Sequence, residues 1–317
     1  RLLLTWNVMV ILAALAVAWV LNLTWEKTAS VNRVQLEGTL TPADPSTPGS
    51  RVINILLVGS DSSAGLDPDD PIAEGRVGER NGDVIIIAHL DERDGSAALL
   101  SVPRDIWVPI AGTGRELKIA SAFAIGGPST LIETIEEEFG IPINYFVNVD
   151  FAGFEGLVDA VGSVEVFFDA PSRDWNPTYD RSQTGFEMLE TGCQSLDPPT
   201  ALAYVRSRYY QTQDADGRWV TDPSSDLGRI RRQQDFLQRL IQKAIDKGAR
   251  NPFVLSDLID AGLDHVSIDQ ELTPSILLGL GQTYAGFEPG ELETYSFPST
   301  FDTVGSQSVL RPLEAEA

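Results

Sequence analysis

The stretch 51-RVINILLVGS-60 is a continuous apolar run stopped by Gly59. A run of this length, rich in β-branched residues, reads as a strand buried on both faces of a sheet. A polar segment rich in Asp, Gly and Pro follows over 61–82. A second buried run, 83-DVIIIAHL-90, comes next, and 97-AALLSV-102 reads as a third strand. The segment 128-PSTLIETIEEEFG-140 predicts a helix, with proline near its start and Gly140 as its stop. Strand signals return at 145-YFVNV-149 and 163-SVEVFF-168, around a helical 151-FAGFEGLVDAVG-162. Proline opens another helix at 198-PPTALAYVRSR-208. The polar insertion 209–225 reads as a surface loop before a long helix over 226–247. Beyond it lie 252-PFVLSDLIDAG-262, 272-LTPSILLGLGQTYAG-286 and a strand-like 291-ELETYSF-297. Strands alternating with helices predict an α/β fold, a three-layer sandwich around a central mixed sheet, spanning 51–300 with a tail at 301–317.

Upstream, Leu2–Leu23 is 22 residues without a charge, enough to span a hydrocarbon core as a helix. Trp6, Trp19 and Trp25 suit the interfacial belts. A transmembrane anchor is therefore expected over 1–25, a juxtamembrane linker over 26–50, and the rest of the chain outside the cell membrane. The formal net charge of −23 argues against nucleic acid as partner, because a phosphate polymer would be repelled. One cysteine rules out an internal disulfide, and two histidines rule out a histidine-rich metal site.

Against that acidity, 226-DLGRIRRQQ-234 packs three arginines into four positions. Asp226 or Ser225 can cap this helix. Arg229, Gln233, Phe236 and Leu240 recur at helical spacing, so Arg229 opens an inward-facing stripe that becomes apolar. Arg231 is spaced to pair with Asp235. Arg104, Arg206 and Arg208 lie elsewhere in the chain. Two readings stand side by side: each arginine pairs with a nearby carboxylate, or several converge to hold an anion such as pyrophosphate.

The motifs 54-NILLVGSD-61, 101-SVPRDIWVPI-110, 145-YFVNVDFAGFEGLVDAVGSVEV-166, 201-ALAYVRSR-208 and 226-DLGRIRRQQDFL-237, in this order, closely resemble the LytR-CpsA-Psr family. The resemblance implies an extracytoplasmic, membrane-anchored phosphotransferase. It would move a glycan phosphate from a polyprenyl-pyrophosphate-linked precursor onto a peptidoglycan acceptor. It implies that Arg104, Arg206, Arg208 and Arg229 form the pyrophosphate clamp, completed by Gln233. It also implies Mg²⁺ held by Asp61 and Asp83, a pairing in keeping with that ion's use of a few carboxylates with phosphate oxygens and waters. Taken alone, Asp61 reads first as a turn residue and Asp83 as an ordinary strand boundary. The family usually places an arginine two residues before the second aspartate. Here Arg80 stands three before it, ahead of Asn81-Gly82. Lys118 is retained in 118-KIASAFAIGG-127 as a further phosphate contact, while Ala120 replaces the family's asparagine. Asp105 and Asp226 are base candidates for which pairing with the clamp arginines is the plainer role. Leu131, Ile135, Phe154 and Leu157 are candidates either for a lipid groove or for ordinary core. His89, in mid-strand, reads as a satisfied core residue.

Overall fold

A computed structural model describes residues 32–36, 38–43, 52–61, 82–248, 251, 254, 266–284 and 286–313. The expected anchor over 1–25, most of the linker, and Arg80 lie outside the described residues.

The opening run forms strand β2 (Val52–Ser60), after a short β1 (Asn32–Val34). It is central to a seven-stranded mixed sheet with β3 (Gly82–Asp91), β4 (Ser96–Ser101), β7 (Tyr145–Val149), β14 (Val266–Asp269) and β15 (Glu293–Ser296). The order is β1-β14-β7-β2-β3-β4-β15. β2 runs antiparallel to β3 and parallel to β7, so it is enclosed on both edges as well as both faces. That enclosure explains its continuous apolar pattern.

Period-two alternation divides its side chains. Leu56 and Val58, with Ile85 and Ile87 of β3, pack under Leu131, Ile132 and Ile135 of helix α1 (Ala120–Phe139). On the other face, Ile55, Leu57 and Ile86 meet Leu237 and Ile241 of helix α4 (Ser225–Asp246). Ile53 packs there with Leu280 of α5 (Pro274–Thr283). Helices therefore cover both faces, as expected. Leu131 and Ile135 are core residues and line no groove. Asn54 interrupts the apolar face without an unpaired cost. Its side chain donates to the Pro142 carbonyl at 2.8 Å and faces His89 Nδ1 at 2.8 Å, while its N–H donates to Asn144 Oδ1 at 2.7 Å.

α1 begins eight residues before the predicted proline start. Its two segments meet at Gly126 and Gly127, the latter at φ 68°, ψ −154°, and Pro128 opens the second. Gly140 ends it in the left-handed conformation at φ 65°. Helices α2 (Phe151–Val161) and α3 (Pro198–Arg206) are capped by Asp150 and Asp197, which accept from Gly153 N and Thr200 N. With β8 (Val164–Phe168) and β11 (Gly192–Leu196) they enclose a second core around Phe186, Leu196 and Phe236.

Several expectations change. The insertion 209–225 is ordered as β12 (Tyr210–Gln213) and β13 (Trp219–Thr221), joined to β9 (Ser172–Asp174) and β10 (Glu187–Met188) in a four-stranded sheet. Its aromatic and β-branched residues suit strands, and the Asp214–Gly217 turn closes the hairpin. Position 300 falls inside β16 (Ser299–Val304). This strand pairs with β17 (Gln307–Pro312), whose Leu310 is buried and donates its N–H to the Asp105 carbonyl. These residues belong to the packed body, because Leu310 has a core site against Ile106. A further hairpin, β5 (Trp107–Ile110) with β6 (Arg115–Lys118), links β4 to α1.

Candidate functional site

The carboxyl ends of β2 and β7 and the start of β3 open on one edge of the sheet, the edge at which open α/β sheets take their ligands. Four chain segments bring cations there. β4 runs into Pro103-Arg104-Asp105. Backbone bonds from Ile119 N to Ile106 O (2.7 Å) and Ala120 N to Arg104 O (3.2 Å) fold Lys118 back against this segment. α3 ends on Arg206, and Arg208 follows two residues later. The first turns of α4 present Arg229 and Gln233.

Arg104, Arg208 and Arg229 meet around Asp83. Arg104 Nη1 donates to Asp83 Oδ1 at 2.5 Å, and Arg208 Nη2 approaches Asp83 Oδ2 at 3.4 Å. Arg229 is only 4% exposed and pairs with Asp226 at 2.7 Å. Its Nε is buried without a hydrogen-bond partner among the described residues. Burial pulls the Arg229 guanidinium down to about 10, against the attraction of Asp226, with the Arg208 and Arg104 charges acting the same way as burial. Burial alone would raise the Asp83 carboxyl. The charges of Arg104, Arg208 and Arg229 outweigh it and hold Asp83 below the ordinary carboxylate value. Three guanidiniums thus gather around Asp83 in partly buried surroundings, with Asp226 and Asp105 as further partners of Arg229 and Arg104, and guanidinium forks held by carboxylates in this way also suit phosphate. Arg206 lies with its guanidinium 4.2 Å from the centre of the Phe151 ring. Lys118 pairs with Asp105 at 2.7 Å, and Arg104 Nε lies 3.7 Å from the same carboxylate.

Beside the cations runs a cavity of about 260 Å³. Arg206, Arg208, Arg229, Gln233 and Asp83 stand in its wall, and an apolar remainder includes Leu57, Phe151, Phe154, Leu157, Leu202 and Leu240. Arg104 lies in an adjoining small recess that shares Asp83, Arg229 and Gln233. The helical stripe Arg229–Gln233–Phe236–Leu240 faces this cavity, charged at one end and apolar below. Of the four groove candidates, Phe154 and Leu157 line it.

The pairing reading holds for three of the arginines. Arg104, Arg208 and Arg229 have carboxylate partners, and they also converge, because those partners share one small volume. Asp105 and Asp226 are ion-paired, as the plainer reading expected. Two details differ from expectation. Ser224 stands at the α4 cap position without a side-chain capping bond, Asp226 being drawn to Arg229. Asp235 takes Arg239 at 2.7 Å, and Arg231 is exposed.

Asp61 and Asp83 flank the irregular end of the β2–β3 pairing, where Ser60 faces Gly82. Asp61 is 5% exposed. Ser60 Oγ is buried there with no hydrogen-bond partner among the described residues. Carboxylate and hydroxyl oxygens are hard donors of the kind Mg²⁺ accepts, so the residues present fit that ion. No group of three or more His, Cys, Asp or Glu gathers among the described residues.

Sequence reading missed Ser60, Gln183 and Thr184 in the cavity wall. It also missed Asp174, whose carboxylate is 1% exposed and accepts from Ser182 Oγ, Gln183 N, Thr184 N, Ser207 Oγ and Tyr209 N. No local signal marks Asp174, since its donors come from two distant segments.

A probable cell wall biosynthesis protein of Corynebacterium glutamicum, LcpB, is 35% identical over 217 residues, covering 66% of this chain and 47% of that protein. The polyisoprenyl-teichoic acid–peptidoglycan teichoic acid transferase TagU of Enterococcus faecalis is 32% identical over 216 residues, covering 68% and 61%. The chain thus spans between about half and three-fifths of these relatives' lengths. In fold it is similar to a LytR-Csp2A-Psr enzyme from Actinomyces oris, with a TM-score of 0.66 at 23% identity over 90% of this chain and 92% of that one. The LytR_cpsA_psr family profile matches residues 24–317, and with the clamp motifs spread along that span the chain belongs to this family.

Proposed function

We propose that this protein transfers a glycan phosphate from a polyprenyl-pyrophosphate carrier to a hydroxyl of peptidoglycan. The carrying observation is the junction of an arginine cluster with an apolar cavity along one helix stripe, a shape matched to a pyrophosphate head on an isoprenoid tail. The relatives' names, a teichoic acid transferase and a cell wall biosynthesis protein, support the same class of reaction.

Phosphoryl transfer depends chiefly on positioning and charge neutralisation. In this reading the isoprenoid enters between Phe154, Leu157, Leu202 and Leu240. The pyrophosphate lies against Arg104, Arg206, Arg208 and Arg229, with Gln233 beside them and Lys118 at the margin through Asp105. Arg80, three residues before Asp83, is assigned a further contact. Arrival of the pyrophosphate displaces Asp83 from Arg104 and Arg208, exchanging carboxylate for phosphate on forks that accept both. The acceptor oxygen attacks the phosphorus bearing the glycan. The bond to the bridging oxygen breaks, that oxygen departs on polyprenyl monophosphate, and the hydroxyl proton passes to solvent. Asp61 and Asp83 would hold Mg²⁺, whose contribution when bound is to neutralise pyrophosphate charge. The anchor over 1–25 would keep this site outside the membrane, next to its lipid carrier.

The test is formation of the glycan–peptidoglycan phosphodiester by the full chain with magnesium and a polyprenyl-pyrophosphate glycan. Arg206→Ala and Arg229→Ala are each expected to abolish the product while retaining a cooperative melt. Full yield from both variants would overturn the assignment. Release of lipid monophosphate without a phosphodiester would instead identify a pyrophosphatase.

A further inference from the structure

The two arginines that end and follow α3 belong to one short segment, Val205–Tyr209, held from three directions. Gln233 Nε2 donates to the Val205 carbonyl at 3.1 Å. Arg232 Nη2 donates to the Ser207 carbonyl at 2.6 Å. Asp174 Oδ1 accepts from Ser207 Oγ at 2.8 Å and from Tyr209 N at 3.3 Å. Ser207 is fully buried, and its neighbours Arg206 and Arg208 point into the cavity wall on either side.

Arg232 and Asp174 themselves stay clear of that wall. Arg232 is 9% exposed, stacks 4.3 Å over the Tyr210 ring and reaches Asp222 at 3.4 Å. Two positions therefore serve one residue: one grips its carbonyl, the other its hydroxyl. Asp174 does more, since its other oxygen accepts from Gln183 N at 2.7 Å and Thr184 N at 3.1 Å, and those residues form the facing rim of the cavity. A core-filling role alone does not call for a buried charge. Burying two costs free energy that their hydrogen bonds offset only in part, Arg232 Nε having no partner among the described residues.

We propose that Asp174 and Arg232 are positioning residues, which hold Ser207 from its hydroxyl and its carbonyl so that Arg206 and Arg208 are aimed together at the lipid pyrophosphate. This rests on the pyrophosphate reading above and adds to it two residues that touch no substrate. Displacing the backbone between the two arginines shifts both guanidiniums at once, and misplacement on the scale of an ångström is costly in phosphoryl transfer.

The test uses the full chain with geranylgeranyl pyrophosphate as probe. Binding is followed by calorimetry and by the ³¹P resonances of the bound probe, with melting temperature alongside. Ser207→Ala deletes one hydroxyl, and Arg232→Met deletes the carbonyl grip. Each is expected to weaken binding by about tenfold, the usual scale for one buried hydrogen bond to a charged group. Each is also expected to shift the bound ³¹P resonances, which a purely structural role would leave in place. Arg232→Lys, which keeps a donor and the charge, is expected to recover part of both. Wild-type affinity and unshifted resonances in both Ser207→Ala and Arg232→Met would overturn the positioning role, provided that Arg229→Ala loses the probe. If the wild-type chain fails to bind the probe, the pyrophosphate reading falls and this inference with it.

Discussion

At the scale of single residues, Asp83 is the most informative. It holds two arginines that would otherwise repel each other and Arg229. Asp83→Asn leaves that positive charge uncompensated and is expected to cost about 1–3 kcal/mol at neutral pH, the range for breaking a partly buried charged hydrogen bond. Inorganic pyrophosphate should raise the melting temperature of Asp83→Asn more than that of the wild type, because the anion takes the place of the lost carboxylate. Equal shifts would show that the carboxylate and the anion do not compete for the same guanidiniums. The pH dependence has a definite sign. The folded-state pKa of Asp83 lies below its ordinary 3.8, so its stabilising contribution is complete above that value. It is lost as pH falls through the lower folded value. The stability gap between wild type and Asp83→Asn should therefore be constant near neutrality and close only in acid, as denaturant melts at a series of pH values would show. Asp61, Asp83 and the four arginines were named from motifs. Their mutual contacts were not legible, because nothing local to 101-SVPRD-105 says that Arg104 reaches back to position 83.

Elements were legible where pattern and punctuation agree. β2, β3, β7 and β8 follow their apolar runs, and Gly140 and Gly162 end helices at positive φ. The kink of α1 was less so. Gly127 has φ 68° and ψ −154°, a region open only to glycine. Gly127→Ala is expected to cost about 1–3 kcal/mol for that reason. Gly279 gives the opposite case. It lies inside helix α5 with nothing within 4 Å of an added Cβ, so Gly279→Ala should stabilise by about 0.5–1 kcal/mol. Urea melts of the two variants test the pair, and like-signed changes would contradict it. The 209–225 hairpin was hidden because its strands are short and its partner, β9, is equally short. Period-two signals need more residues than these strands supply.

On the scale of the whole molecule, the cavity joins two cores that the sequence presents separately. Leu57 belongs to the large sheet, Leu202 to α3, and Phe154 and Leu157 to α2. Leu157→Trp should fill much of the space. It is expected to weaken binding of a long prenyl pyrophosphate by tenfold or more while leaving inorganic pyrophosphate binding near wild type. Parallel titrations with the two ligands check this, and equal losses would separate the cavity from the lipid tail. By itself the sequence determined the α/β class, the mixed sheet and which arginines to watch, since apolar period, helix caps and motif order are properties of neighbouring residues. Tertiary structure alone decided that Arg104, Arg208 and Arg229 gather at Asp83, that Phe154 lines a cavity while Leu131 is core, and that Asp174 joins Ser207 to Gln183 and Thr184. Each of those facts depends on residues tens of positions apart meeting in space, and attraction between distant groups leaves no periodic trace along the chain.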